Sequence, residues 1–425
     1  MANRDLARFE NARHKITTNS AMGDLGICEG LWYWKNVEMI EPARGGSVPR
    51  GLYFGSAMHK YLDLRIAAET GQTNLIAMNA SLTALDFARQ RFDAEFGPFS
   101  FETVEQLDTI DEDLTEVMGA YERWEKSEVG EQHRFSRWMS TEVVPELPWM
   151  ARWKGSSSVT LAGVVDGLGL GHSGRPVLAE HKTTGDKNLR SYMAKLKTDT
   201  QILTYAWAVK VLTGEMPEGV VYTVIHNKPP KRLRFKKNDH LYANKNGDPG
   251  TDRYSFERQI LEKGRSMDDL EDYEREQYEA AKNRDWVIRE FWPIDAADVE
   301  RWRVEAQAKI TRMKTIRRHP HLMVLNRNAC RNMWGRECPY IDKCSGKWIA
   351  DDAFQTRKLA PEVAGALLDQ PLLKKALKYE RRSNPTVDGP SRSREAGASQ
   401  TSLAAPNQGA EGEGGVRELV DEGDW

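Results

Sequence analysis

The stretch from Asp166 to Tyr205 constrains this chain more than any other. Starting at Gly163 it reads G-V-V-D-G-L-G-L-G-H-S-G-R-P-V-L-A-E-H-K-T-T, then a polar run, then T-D-T-Q-I-L-T-Y-A-W-A-V. Val164 and Val165 lead a strand into Asp166, G-H-S-G-R-P has the composition of a turn, and Pro176 to Thr183 alternates as a half-exposed strand does. The hairpin therefore brings Asp166 back near Glu180. Side chains two apart on a strand share a face, so Glu180 and Lys182 point together while Ala179 and His181 point the other way. Gln201 and Tyr205, four residues apart on the helix that follows, also share a face.

Two hard oxygen donors on adjacent strands suit Mg²⁺ or Mn²⁺, which keep several waters and accept phosphate oxygens as further ligands. A lysine beside them can orient or deprotonate an attacking water. Gln201 and Tyr205 can hydrogen-bond a phosphate or the surroundings of the lysine. An E-x-K on a strand is by itself an ordinary ion pair; the ordered set of aspartate, E-x-K and Q-x-x-x-Y carries the reading.

Asp166, Glu180-His181-Lys182 and the Gln201 to Tyr205 pair together resemble the PD-(D/E)XK nucleases, in particular the RecB-type branch with phage exonucleases and CRISPR-adaptation nucleases. The resemblance covers roughly residues 25 to 345, although Val165 stands where the family name has proline. It implies an α/β, restriction-endonuclease-like fold with a central mixed β-sheet flanked by helices, an N-terminal helical region and a C-terminal cysteine-cluster segment. It also implies a DNA nuclease, an exonuclease acting on ends or single strands in recombination, repair or replication. In that scheme Asp166 and Glu180 bind Mg²⁺ or Mn²⁺ and Lys182 positions the water. Gln201 and Tyr205 hold the substrate or the lysine. His59, in a G-x-x-x-H helix with Met58, Leu62 and Ile66 on one side, matches a histidine that joins the metal in this branch, and the backbone carbonyl of His181 is a further ligand. Glu142, at the start of a strand, matches a first acidic residue. The alternatives are a non-catalytic iron-sulfur DNA-binding scaffold and an endonuclease of the same fold.

The chain has four cysteines: Cys28 near the start, and Cys330, Cys338 and Cys344 close together near the end. Three thiols so close, with Cys28 to complete them, look like a metal or cluster site, and no C-x-x-C pair of a zinc ribbon is present. The nuclease branch often carries one cysteine before the core and three after it. The resemblance thus implies a [4Fe-4S] cluster on these four residues, with zinc as the alternative, although the Cys330 to Cys338 interval is longer than the C-x-x-C of many members. Closing a loop of about 300 residues costs on the order of 5 kcal/mol of chain entropy, which metal-thiolate bonds can offset.

With 425 residues and 40% hydrophobic content the chain can bury a sizeable core, and its net charge of −2 excludes a generally basic nucleic-acid binder. DNA contact must then use local basic patches. The run after Gly219 to His226 supplies one, with Lys228, Lys231, Arg232, Arg234, Lys236 and Lys237 as the candidate phosphate track. No apolar run approaches the roughly 20 residues of a membrane span, and the N-terminus lacks a signal-peptide core, so a cytoplasmic protein without a membrane partner is expected, in the bacterial host if phage-encoded.

Four segments follow from this reading: a helical region 1–135 carrying Cys28 and His59, a nuclease core 136–320, a cysteine and helical segment 321–380, and a disordered acidic tail 381–425. The helical block 75–130 shows Met78, Leu82, Leu85, Ala88 and Phe92 at turn spacing, and Leu241 to Arg253 reads as a flexible insertion. The tail ends in R-E-L-V-D-E-G-D-W, a candidate docking peptide for a replication or recombination protein.

Overall fold

Turn chemistry and alternation place the sheet, and the sheet places the site. The structure, a computed structural model, describes residues 16–42, 50–69, 80–96, 101–139, 144–153, 159–242, 247–332, 337–347 and 353–356. All of them fall within the unit Met1–Asn384. Glu142, the helix expected at 361–379 and the tail from Arg381 lie outside the described residues.

Six strands form one mixed sheet: β1 (Ile16–Thr17), β3 (Val144–Arg152), β4 (Thr160–Leu170), β5 (Pro176–Thr184), β6 (Gly219–His226) and β7 (Val287–Pro293). A separate antiparallel pair joins β2 (Ile40–Pro42) to β8 (Phe354–Thr356). β3 runs antiparallel to β4, β4 antiparallel to β5, β5 parallel to β6 and β6 antiparallel to β7. β3 and β4 meet at Arg152 and Thr160, which pair with each other.

The helices in chain order are α1 (Asn19–Ile27), α2 (Glu29–Asn36), α3 (Arg50–Glu69), α4 (Ala80–Phe96), α5 (Phe101–Glu125), α6 (Leu189–Lys195), α7 (Thr200–Thr213), α8 (Arg253–Glu262), α9 (Asp272–Lys282) and α10 (Ala296–Arg318), with shorter turns between them. One face of the sheet, with Leu178, Val220, Tyr222 and Val224, packs under α7 and α10, where Trp153, Trp207 and Trp302 meet in tilted and edge-on contacts. The other face, with Val177, Ala179 and Val221, meets Ile66 of α3 and Phe135. Each such side chain taken from water contributes about 1.5–3 kcal/mol. The result is a mixed α/β fold with a central mixed sheet flanked by helices.

α3 buries Met58, Leu62 and Ile66 as expected. On α4 the buried stripe is Ala80, Ala84, Ala88 and Phe92, whereas Leu82 is 66% exposed. Small alanines let α4 approach α3 closely, and that register turns Leu82 outward. The segment expected to be a flexible insertion is anchored at both ends: Leu241 packs with Phe256 and Ile260, and Thr251 and Asp252 are buried. Its described part turns at Gly247 and Gly250, at φ 65° and 69°, and caps α8 with Asp252, which accepts the Ser255 N–H at 3.0 Å.

Candidate active site

β4 uses one edge for β3 over residues 160–168, so its other edge must serve both β1, at Thr160 and Leu161, and β5, from Gly167 onward. The stretch of β4 between those two partners lies open on that edge, and Asp166 stands at the point where β5 leaves. The β4–β5 ladder ends at Gly167 and Ala179. Beyond it the Asp166 carboxylate takes over from the backbone and accepts the His181 N–H at 2.8 Å. A short interruption of pairing thus sets a carboxylate beside the E-x-K strand.

On β5, Glu180 is 1% exposed and its Oε1 accepts a hydrogen bond from Lys182 Nζ at 2.6 Å. Lys182 also donates to Gln201 Oε1 at 2.7 Å, and Gln201 Nε2 donates to the Tyr205 hydroxyl at 2.6 Å. α7 is held in register by its ends. Asp199 caps its N-terminus, accepting the Gln201 N–H at 2.8 Å, and Gly214 closes its C-terminus in the left-handed region with φ 85°. The cap does a second task that the sequence reading missed: Asp199 Oδ2 lies 3.6 Å from Lys182 Nζ.

His59 approaches from α3, with Nδ1 3.6 Å from Asp166 Oδ1 and its ring 6.0 Å from that of His181. Asp63, one helical turn beyond His59 and 3% exposed, adds its charge to the same neighbourhood. It too went unnoticed, although its i, i+4 spacing from His59 was a usable signal. The His181 ring is fully buried on the opposite side of β5 from Glu180, against Phe135.

The charges are strongly interdependent. Burial and the nearby Asp166 charge push Glu180 up to about 8, against the opposing pull of Lys182. Burial also opposes ionisation of Asp166, but His59 and the His181 N–H hold it well below the usual carboxylate range. For His59, burial disfavours the cation, yet Asp166 outweighs it and lifts the ring to about 9. Burial works against Lys182 as well, and Glu180 and Asp199 keep it firmly cationic. His181 is lowered to about 3, chiefly by burial.

The second oxygen, Glu180 Oε2, is buried with no hydrogen-bond partner. A carboxylate oxygen in that state is costly unless something cationic meets it. This orphaned oxygen, with Asp166 alongside, fits a divalent metal ion: Glu180, Asp166 and His59 are the donors that would hold it, although among the described residues no group of three or more His, Cys, Asp or Glu is closed into a metal cage.

The cysteines gather at a second place. Cys28 sits between α1 and α2, and Cys338 donates its backbone N–H to the Cys330 carbonyl at 2.8 Å. A Cβ on Gly30 would meet Cys344 Sγ at 3.0 Å and Cys28 Sγ at 3.7 Å, so these two thiols flank one glycine. Burial raises the Cys338 thiol, and the charges of Cys330, Cys344 and Cys28 act in the same direction. All four are free thiols, and Trp34 Nε1 points its N–H at Cys344 Sγ from 3.3 Å. Four thiols thus converge from opposite ends of the chain, with a glycine keeping space between two of them, although among the described residues no group of three or more His, Cys, Asp or Glu is arranged to hold a metal ion.

The basic run divides. Lys228 and Lys231 line a cavity beyond β6, and Arg232 stands 3.7 Å from Glu116. Lys236 hydrogen-bonds the Tyr273 hydroxyl at 3.1 Å, and Arg234 and Lys237 are exposed. Among the described residues no helix is long and apolar enough to cross a membrane.

A family model of the PD-(D/E)XK nuclease superfamily matches residues 18–345. That span includes Cys28, His59, the hairpin, α7 and the three later cysteines. No curated protein matches. Among solved structures, the chain is similar to a protein from Eubacterium rectale provisionally described as an exonuclease, at 9% identity and a TM-score of 0.39, covering 85% of this chain and 96% of that one.

Proposed function

Because this chain belongs to the PD-(D/E)XK nuclease superfamily, we propose that it is a metal-dependent DNA exonuclease of the RecB-type branch, acting on ends or single strands in recombination, repair or replication. The observation that carries the reading is the unpartnered oxygen of Glu180 beside a lysine held cationic. Glu180 and Asp166, with His59 and the His181 carbonyl, are the groups that hold Mg²⁺ or Mn²⁺. When bound, the metal lowers the pKa of a water and offsets charge on the phosphate. Lys182 donates hydrogen bonds, so its part is to orient the attacking water or a phosphate oxygen. Gln201 fixes the lysine from the side opposite Glu180, and Tyr205 fixes Gln201.

The decisive experiment incubates full-length protein with end-labelled linear duplex, single-stranded DNA and covalently closed circles, with Mg²⁺, Mn²⁺ or chelator. Metal-dependent loss of the linear substrates, abolished in Lys182→Ala with DNA binding retained, is the expected result. Unchanged cleavage by Lys182→Ala overturns the mechanism, and cutting of closed circles overturns the exonuclease reading.

The four thiols support a [4Fe-4S] cluster on Cys28, Cys330, Cys338 and Cys344 that ties the two ends of the core together. Protein purified without oxygen should be brown, with broad visible absorbance. A colourless anaerobic preparation with stoichiometric zinc overturns that assignment.

A further inference from the structure

The carboxyl ends of β5 and β6 border a cavity of about 210 Å³, separate from the Asp166 and Glu180 pair. Its walls carry Lys187, His226, Lys228, Lys231, Arg284 and Trp286. Asp248 also lines it and holds Arg284 through two contacts of 2.6 and 2.7 Å, so four permanent cations face one carboxylate. The other acids at this end of the sheet are already engaged, Asp186 with Lys195 at 3.0 Å and Asp285 with Arg190 at 2.9 Å. Gly250, at φ 69°, keeps the wall close: a Cβ there would meet Lys231 Cδ at 2.6 Å.

His226 supplies an independent observation. His226 Nδ1 is engaged by the Lys228 backbone, 3.2 Å from its N–H and 3.3 Å from its carbonyl oxygen, which leaves Nε2 as the ring atom facing elsewhere. The ring is 4% exposed and packs at 4.8 Å on Trp286, whose own indole N–H is used by the Lys228 carbonyl at 2.9 Å. His226 Nε2 has no hydrogen-bond partner. A buried polar atom left unpaired costs about 1–3 kcal/mol. On the wall of a cationic cavity, an anion is the partner that satisfies Nε2 in the ring form that carries its proton there.

Position narrows the choice of anion. Thr184 and His226 are register partners, two residues beyond Lys182 and Val224 on the same two strands. Alternation therefore puts His226 on the sheet face that carries Glu180 and Lys182. Two residues of strand advance about 7 Å, close to the axial rise of about two nucleotides along one strand of duplex DNA. We infer that this cavity is a phosphate-binding subsite that holds a non-scissile phosphodiester of the DNA strand whose nearby linkage lies at Glu180 and Lys182. The inference rests on the nuclease reading for where the cut falls. It also redraws the basic track: Lys228 and Lys231 act with Lys187, His226 and Arg284 from elsewhere in the fold rather than with the rest of their own run.

The test is a binding scan of the full chain in chelator, using fluorescent single-stranded oligonucleotides in which one linkage at a time is a neutral methylphosphonate. Wild type should lose about tenfold in affinity at one linkage beside the position whose replacement probes the Glu180 site. Lys187→Met combined with Lys228→Met, both exposed positions, should erase that linkage-specific loss. It should also reduce the salt slope by about 0.7 for each of the two lost contacts. Melting curves check the fold, and His226→Gln carries the same scan should the double variant fold poorly. An identical profile in wild type and variants overturns the subsite. So does a flat scan with inorganic phosphate or a mononucleotide displacing the oligonucleotide from wild type alone, which would make the cavity a small-anion site. Cleavage plays no part in these readouts. A wild type inert with Mg²⁺ and Mn²⁺ would sink the nuclease reading while leaving the scan to decide the cavity.

Discussion

Glu180 and Glu274 are both withdrawn from water, at 1% and 0% exposure, and each hydrogen-bonds a cationic side chain. Their surroundings then diverge. Glu274 accepts from Arg265 at 3.0 and 2.6 Å, from the Leu241 N–H at 2.6 Å and from the Glu271 N–H at 3.0 Å, so both oxygens are used. Burial alone would raise Glu274, but these donors, led by Arg265, hold it at about 2. Glu180 has one donor, an orphaned second oxygen and a carboxylate neighbour, and is driven the other way. A satisfied buried charge fastens a local structure; one left incomplete stores a demand that a ligand can meet. The same residue type thus serves to clamp α9 in one place and to prepare a site in the other.

The largest expected effect falls on chemistry. Glu180→Gln and Lys182→Ala should each lower the cleavage rate by about 10³-fold or more, equivalent to about 4 kcal/mol of barrier. Glu180→Gln should not lower the melting temperature of the metal-free protein much, because it replaces a half-satisfied carboxylate with a neutral amide. A marked loss of stability in Glu180→Gln would erase the distinction between the two glutamates.

Glu274→Ala should show the reverse pattern. It strands the Arg265 guanidinium and two backbone donors, and removing one partner of a buried pair costs about 3–5 kcal/mol. Urea denaturation should record that loss while cleavage per folded molecule stays within about twofold. A cleavage defect without loss of stability would mean that Glu274 reaches the site by a route the fold does not suggest.

Acid separates the pair again. The folded value of Glu274, about 2, lies below the roughly 4.3 of an unfolded glutamate. Its contribution, about 3 kcal/mol, is therefore complete above the unfolded value and is lost as pH falls through the folded one. The stability gap between wild type and Glu274→Gln should narrow by about half between pH 6 and pH 3. A gap independent of pH would show that the carboxylate charge is not what Arg265 recognises.

The contrast also explains what was legible in the residues. Asp166, Glu180, Lys182, Gln201 and Tyr205 could be brought together on paper because a hairpin and one helix turn fix their spacing locally, and the structure brings the same five together. Glu274 gave no sign, since its partners arrive through Leu241 and Arg265 from segments that read as insertion and charged helix. His226 was hidden similarly: its isolation depends on Trp286, just before β7, and on the course of the chain after β6. Spacing announces contacts made within one hairpin or helix, whereas contacts between distant segments appear only once the sheet order is known. Asp199 belongs to neither class, being local and still overlooked, because a cap residue before a helix already has a sufficient reason to be there.

That makes Asp199 the finest test of the comparison. Its carboxylate stands 3.6 Å from Lys182 while capping α7 through the Gln201 N–H. Asparagine caps helices about as well as aspartate, so Asp199→Asn should leave α7 and the melting temperature unchanged. What disappears is one of the negative charges that keep Lys182 cationic, the others being Glu180 and Asp166. At 3.6 Å and with 17% of the aspartate side chain exposed, screening makes it weaker than Glu180 at 2.6 Å. Cleavage should fall by roughly tenfold, about 1.4 kcal/mol, with most of the change in kcat and little in DNA binding. A rate equal to that of wild type would leave Lys182 governed by Glu180 and Gln201 alone. A loss as deep as that of Lys182→Ala would instead make Asp199 a working member of the site, and the incomplete environment of Glu180 would then extend to the head of α7.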